Sequence, residues 1–150
     1  MQTAIPAFFM RGGTSRGLYF EAADIPDDSR ARDRLLLAAM GSPDARQIDG
    51  VGGATTLTSK VAIVSPSAED GIDVDYFFCQ VSLTEDLVDT GPTCGTILAG
   101  VGPFAIEKGL VATDQGETRV RIRLVNTGDL VEAVIQTPEG QVEYGGEATI

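Results

Sequence analysis

Lys60 and Cys94 are the side chains of this sequence best suited to acid and base chemistry near neutral pH, and each follows a segment rich in glycine and hydroxyl groups. The 150 residues include no histidine, so proton transfer by side chains alone must come from amine, thiol, carboxylate or hydroxyl groups. Lysine and cysteine are the two whose protonation a local environment most usefully moves toward pH 7. Their pairing points to proton transfer.

Lys60 follows Thr58-Ser59 and precedes Val61, Ala62, Ile63 and Val64, so its stem enters a strand that must be largely buried. Desolvation and neighbouring positive charge are what turn a lysine into a base. A lysine reaching solvent at a strand edge fits the same pattern. Cys94 comes directly after Gly91-Pro92-Thr93 and opens an apolar segment. At the start of a helix, free amides and the helix dipole would favour a thiolate and attract a carboxylate. A small residue fitted to a tight turn explains the position equally well.

Arg11 to Gly17 (RGGTSRG) gathers backbone amides, two hydroxyls and two guanidinium groups that could cradle an anion, or form an ordinary tight turn. Its spacing matches neither a P-loop nor a dinucleotide fingerprint. Gly50 to Ser59 (GVGGATTLTS) is a second such segment, either a binding loop or a mobile surface loop.

The elements that must carry these groups follow from periodicity. Ala4–Met10 and Gly17–Phe20 read as strands joined by a glycine turn, and 27–40 as a surface helix closed by Gly41 and Pro43. Lys60–Val64 and Asp73–Ser82 read as strands, with Cys79 in the second as a buried apolar filler. Thr93–Gly109 reads as an apolar helix with Thr93 as N-cap and Gly109 as stop. Gly95, Gly100 and Gly102 each weaken it by roughly 1 kcal/mol relative to alanine, and Pro103 is expected to kink or break it. Such a helix survives only when enclosed, so a central helix wrapped by sheet is predicted. Thr118–Val125 and Leu130–Gln136 form a hairpin through Asn126-Thr127-Gly128-Asp129, and a last strand is expected around Gln141–Tyr144.

A 43% hydrophobic content is enough for a folded core, and one domain over residues 1–150 suffices. Eleven basic against twenty-two acidic residues give a net charge of -11, which argues against nucleic acid and anionic membranes as partners. An anionic substrate would need local donors, available from Arg11, Arg16 and Lys60. Two cysteines make no disulfide framework, which suits a reducing compartment. The N-terminal MQTAIPAFFMRGG lacks the charge pattern, cleavage site and length of a signal or membrane span, so a soluble, cytoplasmic protein is expected.

Three ordered segments, MRGGTSRG, GVGGATTLTSKVAIV and TCGTILAGVGPFAIEKGLV, resemble the PrpF family, which includes 2-methylaconitate isomerases and 4-oxalomesaconate tautomerases. The stretch Met40–Val64 is especially similar to the tautomerase branch. The resemblance implies an α+β, diaminopimelate-epimerase-like fold, in which each of two lobes wraps mixed sheet around a central helix. It implies 1,3-proton transfer in a small tricarboxylate, most simply 4-oxalomesaconate, with no metal and no organic cofactor. The alternatives are 2-methylaconitate or aconitate isomerisation, or a noncatalytic accessory role beside an aconitase-like dehydratase.

Carried onto this sequence, the family lysine falls on Lys60 as proton acceptor, and the family cysteine on Cys94 as acid or positioning group. Substrate contacts are then expected from Arg11, Gly12, Gly13, Thr14 and Ser15, from Thr56, Thr58 and Ser59, and from Thr93, Gly95 and Thr96. Two departures stand out. Thr93-Cys94-Gly95-Thr96 replaces a common Asn-Cys-Gly-Asn pattern, and Arg16 stands where a lysine is frequent. The chain also has about half the length such proteins have, so it resembles an N-terminal lobe whose partners would be the C-terminal lobe, the tricarboxylate and a possible second copy.

Overall fold

The glycine turn at residues 13–14 does reverse the chain, pairing Phe8–Gly12 (β1) antiparallel with Ser15–Glu21 (β2). The computed structural model describes residues 1–145. After β2 comes the helix Ser29–Met40 (α1), whose N-cap Asp28 accepts a hydrogen bond from the Ala31 amide at 2.8 Å. The expected start at Asp27 is thus shifted to Ser29, because Asp28 takes the capping position. Lys60–Pro66 (β3) then pairs parallel with β2, and Val74–Val81 (β4) antiparallel with β3. The two-residue strand Val88–Asp89 (β5), too short to show in the sequence pattern, pairs with the end of β4. Two short helices, Gly95–Leu98 (α2) and Val101–Glu107 (α3), lead to the antiparallel pair Gly116–Leu124 (β6) and Leu130–Thr137 (β7). β6 runs parallel to β4, so the curled mixed sheet has the order β1-β2-β3-β4-β6-β7 with β5 beside β4.

Successive strand residues alternate between the two faces, and both faces are covered. On the outer face Leu18, Phe20, Val61, Ile63, Cys79 and Val81 pack with Leu36, Leu37 and Met40 of α1. Cys79 is the fully buried filler expected, and burial pushes its thiol up to about 12. On the inner face Tyr19, Ala62, Val64, Tyr76, Phe78, Val120 and Ile122 enclose Ile97, Val101, Phe104 and Ala105 of the helical segment. The central helix is therefore wrapped as predicted. Burying side chains such as Ile97, Val101 and Phe104 contributes about 1.5–3 kcal/mol each, which outweighs the weakness of the glycines.

The helix breaks earlier than expected. Pro103 lies in the first turn of α3, where its missing N–H would have no intrahelical partner, and the interruption falls at Ala99-Gly100. There the amides of Ala99 and Gly100 bond back three residues, to Thr96 and Ile97. Gly100 is required by packing: a Cβ would stand 2.3 Å from the Tyr19 hydroxyl and 2.6 Å from its ring. Gln141–Tyr144 is likewise no strand. A single bond from the Glu143 amide to the Gln136 carbonyl, 2.9 Å, joins it to β7, because the one-turn helix Pro138–Gly140 first redirects the chain. No helix among the described residues is long and apolar enough to cross a membrane.

Asp75 and Arg123 face each other across the β4–β6 ladder in a two-pronged ion pair, with Nε to Oδ1 at 2.9 Å. Hydrogen bonds from Arg123 hold the Asp75 carboxyl below its ordinary value, against the opposing pull of partial burial. A carboxyl depressed in the folded state adds stability above its unfolded value, and that stability is lost as pH falls toward the folded value. The thermal midpoint is therefore expected to drop on acidification through the carboxylate range, and Asp75→Asn to flatten part of that drop. Circular dichroism melts across that range check both.

Candidate active site

Strand alternation puts Lys60, Ala62 and Val64 on the inner face with Tyr76, Phe78 and Gln80, which is the face the helical segment covers. Lys60 is the first residue of β3 and is partly buried. Its Nζ donates to Gln80 Oε1 at 2.7 Å and stands 5.2 Å from the centroid of the Phe78 ring. The head of the lysine is therefore held against the sheet while the residue stays partly exposed at the strand entrance.

Cys94 lies on the same side. It caps α2 in extended conformation, taking the place expected for Thr93, whose buried hydroxyl has no hydrogen-bond partner among the described residues. Two inward tyrosines seat this turn from below. Tyr76 donates to the Cys94 carbonyl at 3.1 Å, and Tyr19 to the Ile97 carbonyl at 2.7 Å. Burial, reinforced by the charge of Cys94, pushes both phenols well above their ordinary value, so they remain protonated donors.

Burial alone would push the Cys94 thiol up. The Thr96 hydroxyl, the Ile97 amide, the Lys60 charge and the Thr96 amide act against it, and together they hold the thiol below its ordinary value. The amides at the helix start act as expected from the sequence, while α2 has only four residues, so its aligned dipole is slight, and the Thr96 hydroxyl and the Lys60 charge add what the sequence did not indicate. Cys94 Sγ is 3.2 Å from Thr96 Oγ1, which is 2.6 Å from Ser15 Oγ. Ser15, 1% exposed, thus supports the hydroxyl that supports the thiolate. Replacing Thr96 by valine is expected to raise the pH at which iodoacetamide half-labels Cys94, and Ser15→Ala to do so less. Alkylation rates followed by mass across a pH series read both shifts.

The hairpin that supplies Ser15 packs directly on this turn. A Cβ at Gly12 would meet the Thr96 carbonyl at 2.3 Å, and one at Gly13 would meet the Thr96 methyl at 3.3 Å. Gly95 is exposed, and a Cβ there would meet nothing within 4 Å, so the space above the helix start is open. Gly12, Gly13, Ser15, Cys94, Gly95 and Thr96 therefore come together, and the charge of Lys60 reaches Cys94 from β3.

Other residues of the expected set do not join them. Arg11 and Arg16 are register partners on the opposite face of the hairpin from Ser15, and the Arg16 guanidinium lies 5.0 Å over the Phe9 ring. Ser59 is fully buried, accepting from Gln47 Nε2 at 2.7 Å and donating to the Val81 carbonyl at 2.8 Å. Its hydroxyl is committed to the fold and has no capacity facing solvent. Thr14 and Thr56 are exposed, and Thr58 bonds within its own loop to Thr55.

Three amide side chains that gave no sequence signal organise the surroundings. Gln47 staples the glycine-rich loop, accepting from the Gly53 and Ala54 amides at 3.1 and 3.0 Å while donating to Ser42 and Ser59. The loop is therefore pinned at the end of its glycine run and at Ser59. Asn126, read as a turn residue, continues the β4 ladder where β6 leaves it. It accepts from the Phe78 amide at 2.8 Å and donates to the carbonyls of Phe78 and Thr90, at 2.9 and 2.8 Å, fixing the approach to Cys94. Gln80 holds Lys60. Each sits where long-range pairing, invisible in a local pattern, decides the partner.

A thiol and an amine on the inner face of a mixed sheet, at the open start of the helix that the sheet enfolds, define a diaminopimelate-epimerase-like lobe. The chain belongs to the PrpF family, described as PrpF protein, whose sequence profile matches residues 2–150. It is 58% identical to a 4-oxalomesaconate tautomerase of Pseudomonas putida over 149 residues, covering 99% of this chain and 41% of that protein. The crystal structure of a methylitaconate-delta-isomerase superposes with a TM-score of 0.93 at 46% identity, over 97% of this chain and 65% of that one. A hydroxyproline epimerase shares the fold alone, with a TM-score of 0.55 at 18% identity and 36% of its length covered.

Proposed function

We propose that this chain carries the acid and base groups of an isomerase that moves a double bond by 1,3-proton transfer in a small tricarboxylate, with 4-oxalomesaconate as substrate. The observation that carries this reading is the placement of Lys60 and a thiolate-favouring Cys94 on one face beside an open helix start. Identity to the Pseudomonas tautomerase, higher than that to the methylitaconate isomerase, supports the choice of substrate.

In this mechanism the Lys60 Nζ takes the proton from the carbon flanked by the double bond and a carboxylate. The electron pair left behind spreads into a dienolate. A proton returned at the far end of the conjugated system, from the Lys60 ammonium or the Cys94 thiol, completes the shift. The protein's part is to hold both groups still and to place donors where charge accumulates. The amides at the hairpin turn and at Gly95 and the Thr96 hydroxyl are the candidates on this face. No redox change and no group transfer are needed.

The test offers 4-oxalomesaconate, 2-methylaconitate and aconitate separately to the protein at its full natural length, with ultraviolet absorbance following conjugation. A kcat/KM highest for 4-oxalomesaconate is expected. Turnover of neither this nor the other acids would refute the isomerase reading.

A further inference from the structure

Gln80 stands directly opposite Lys60 in the β3–β4 ladder, the one amide side chain on an otherwise apolar inward run of Val74, Tyr76 and Phe78. Its Nε2 donates to two backbone carbonyls of the glycine-rich loop, Ser59 at 2.9 Å and Thr56 at 3.1 Å. Carbonyls only accept, so both amide hydrogens are committed and the orientation of the group is determined. Oε1 must then face Lys60, and it receives the Nζ donor at 2.7 Å. One side chain therefore locks three things: the end of the loop, the start of β3, and the head of the lysine.

We propose that Gln80 is a positioning residue for Lys60, aiming its Nζ through a neutral acceptor that orders the head of the side chain without setting a charge beside it. This rests on reading Lys60 as the base. The neutrality matters. A carboxylate at the same place would form an ion pair with the ammonium and oppose its conversion to amine, and it would set its second oxygen against the Thr56 and Ser59 carbonyls. An apolar side chain would release the lysine altogether. Side-chain entropy of a long lysine is substantial, so an unanchored Nζ samples many positions besides the reactive one. The charged and titratable groups nearby, Cys94 across the inner face and Asp89 opposite Gln80 on β5, are the same in every variant considered.

The chain supplies its own internal reference. Lys60 and Lys108 are its two lysines, and Lys108 lies elsewhere, 3.4 Å from Glu21 and over the Phe8 ring. Competitive labelling with trace acetic anhydride, read by peptide mass, gives the Lys60 rate relative to Lys108 in wild type, Gln80→Glu and Gln80→Met. Only the neutral amine acylates. Labelling of Lys60 is expected to fall about tenfold in Gln80→Glu, the effect of an opposite charge within hydrogen-bond reach, and to rise several-fold in Gln80→Met.

Opposite directions in the two variants are the signature of positioning. A role confined to bracing the loop would move both the same way, because both lose the donors to Thr56 and Ser59, and that result would overturn the proposal. So would unfolding of both variants, seen as both lysines labelling at the free-amine rate. Turnover of 4-oxalomesaconate, 2-methylaconitate and aconitate by the protein at its full natural length, measured in parallel, separates the two readings. Divergent labelling with turnover of none of the three in wild type sustains the role of Gln80 and removes the isomerase, whereas turnover with unresponsive labelling does the reverse. In an active enzyme the Gln80→Met loss is expected in kcat more than in KM.

Discussion

Replacing Lys60 by methionine should lower turnover of the tricarboxylate by about 10²–10⁴-fold, the usual contribution of a general base placed at the reacting carbon. Methionine is a long unbranched side chain that can still lie along the sheet, and β3 is anchored by Val61 to Val64, all buried. The fold should therefore survive, with an unchanged far-ultraviolet spectrum and a melting temperature near that of wild type. The loss is expected mainly in kcat, because the positive charge aids substrate capture less than the amine aids chemistry. Steady-state kinetics at saturating substrate check it. Cys94 should be more tolerant if it assists and equally sensitive if it supplies the returning proton, so Cys94→Ser kinetics divide the roles.

The second large effect is structural. Gly100→Ala should destabilise the protein by about 1–3 kcal/mol, because the new methyl would overlap the fully buried Tyr19 ring and hydroxyl. Neither partner can yield cheaply. Tyr19 is wedged against Phe104, with ring centroids 5.9 Å apart, and its hydroxyl is the donor that seats Ile97 beneath the Cys94 turn. Tyr19→Phe alone removes one of two donors to the Ile97 carbonyl, which keeps the Gly100 amide, and should cost about 0.5–1.5 kcal/mol. The double variant should cost less than the sum, since removing the hydroxyl relieves the nearest overlap. Denaturant titrations of the four proteins measure the coupling, and additivity would mean that the helix shifts away from Tyr19 instead.

These two effects lie at different distances from the sequence. Lys60 was legible because a single polar residue opens a run of four apolar ones, and Cys94 because glycine, proline and threonine mark the entrance to a helix. The enclosed helix was legible too, since its many small residues make sense only against a covering sheet. What the small residues touch was not. Tyr19 lies 81 positions before Gly100, and nothing local links them. The same holds for Gln80, Gln47 and Asn126, whose roles depend on register between strands.

The arginines of the RGGTSRG turn illustrate the opposite failure. Composition gathered Arg11, Ser15 and Arg16 into one anion cradle, but neighbouring strand residues point to opposite faces, so Ser15 joins Thr96 while Arg16 covers Phe9. Ser59 fell to a related error. A hydroxyl next to the lysine looked available, yet the alternation that brings Lys60 inward sends Ser59 to the other side, where Gln47 and Val81 consume it. Proximity in sequence overstated proximity in the site.

The decisive measurement is proton exchange at the substrate. The protein at its full natural length is incubated with 4-oxalomesaconate in deuterium oxide, and the allylic positions are followed by proton NMR for wild type and Lys60→Met. Deuterium entering at the rate of isomerisation in wild type, and neither exchange nor isomerisation in the variant, is the predicted result. Isomerisation that persists in Lys60→Met would contradict the assignment of Lys60 as base, and the site would have to be sought elsewhere.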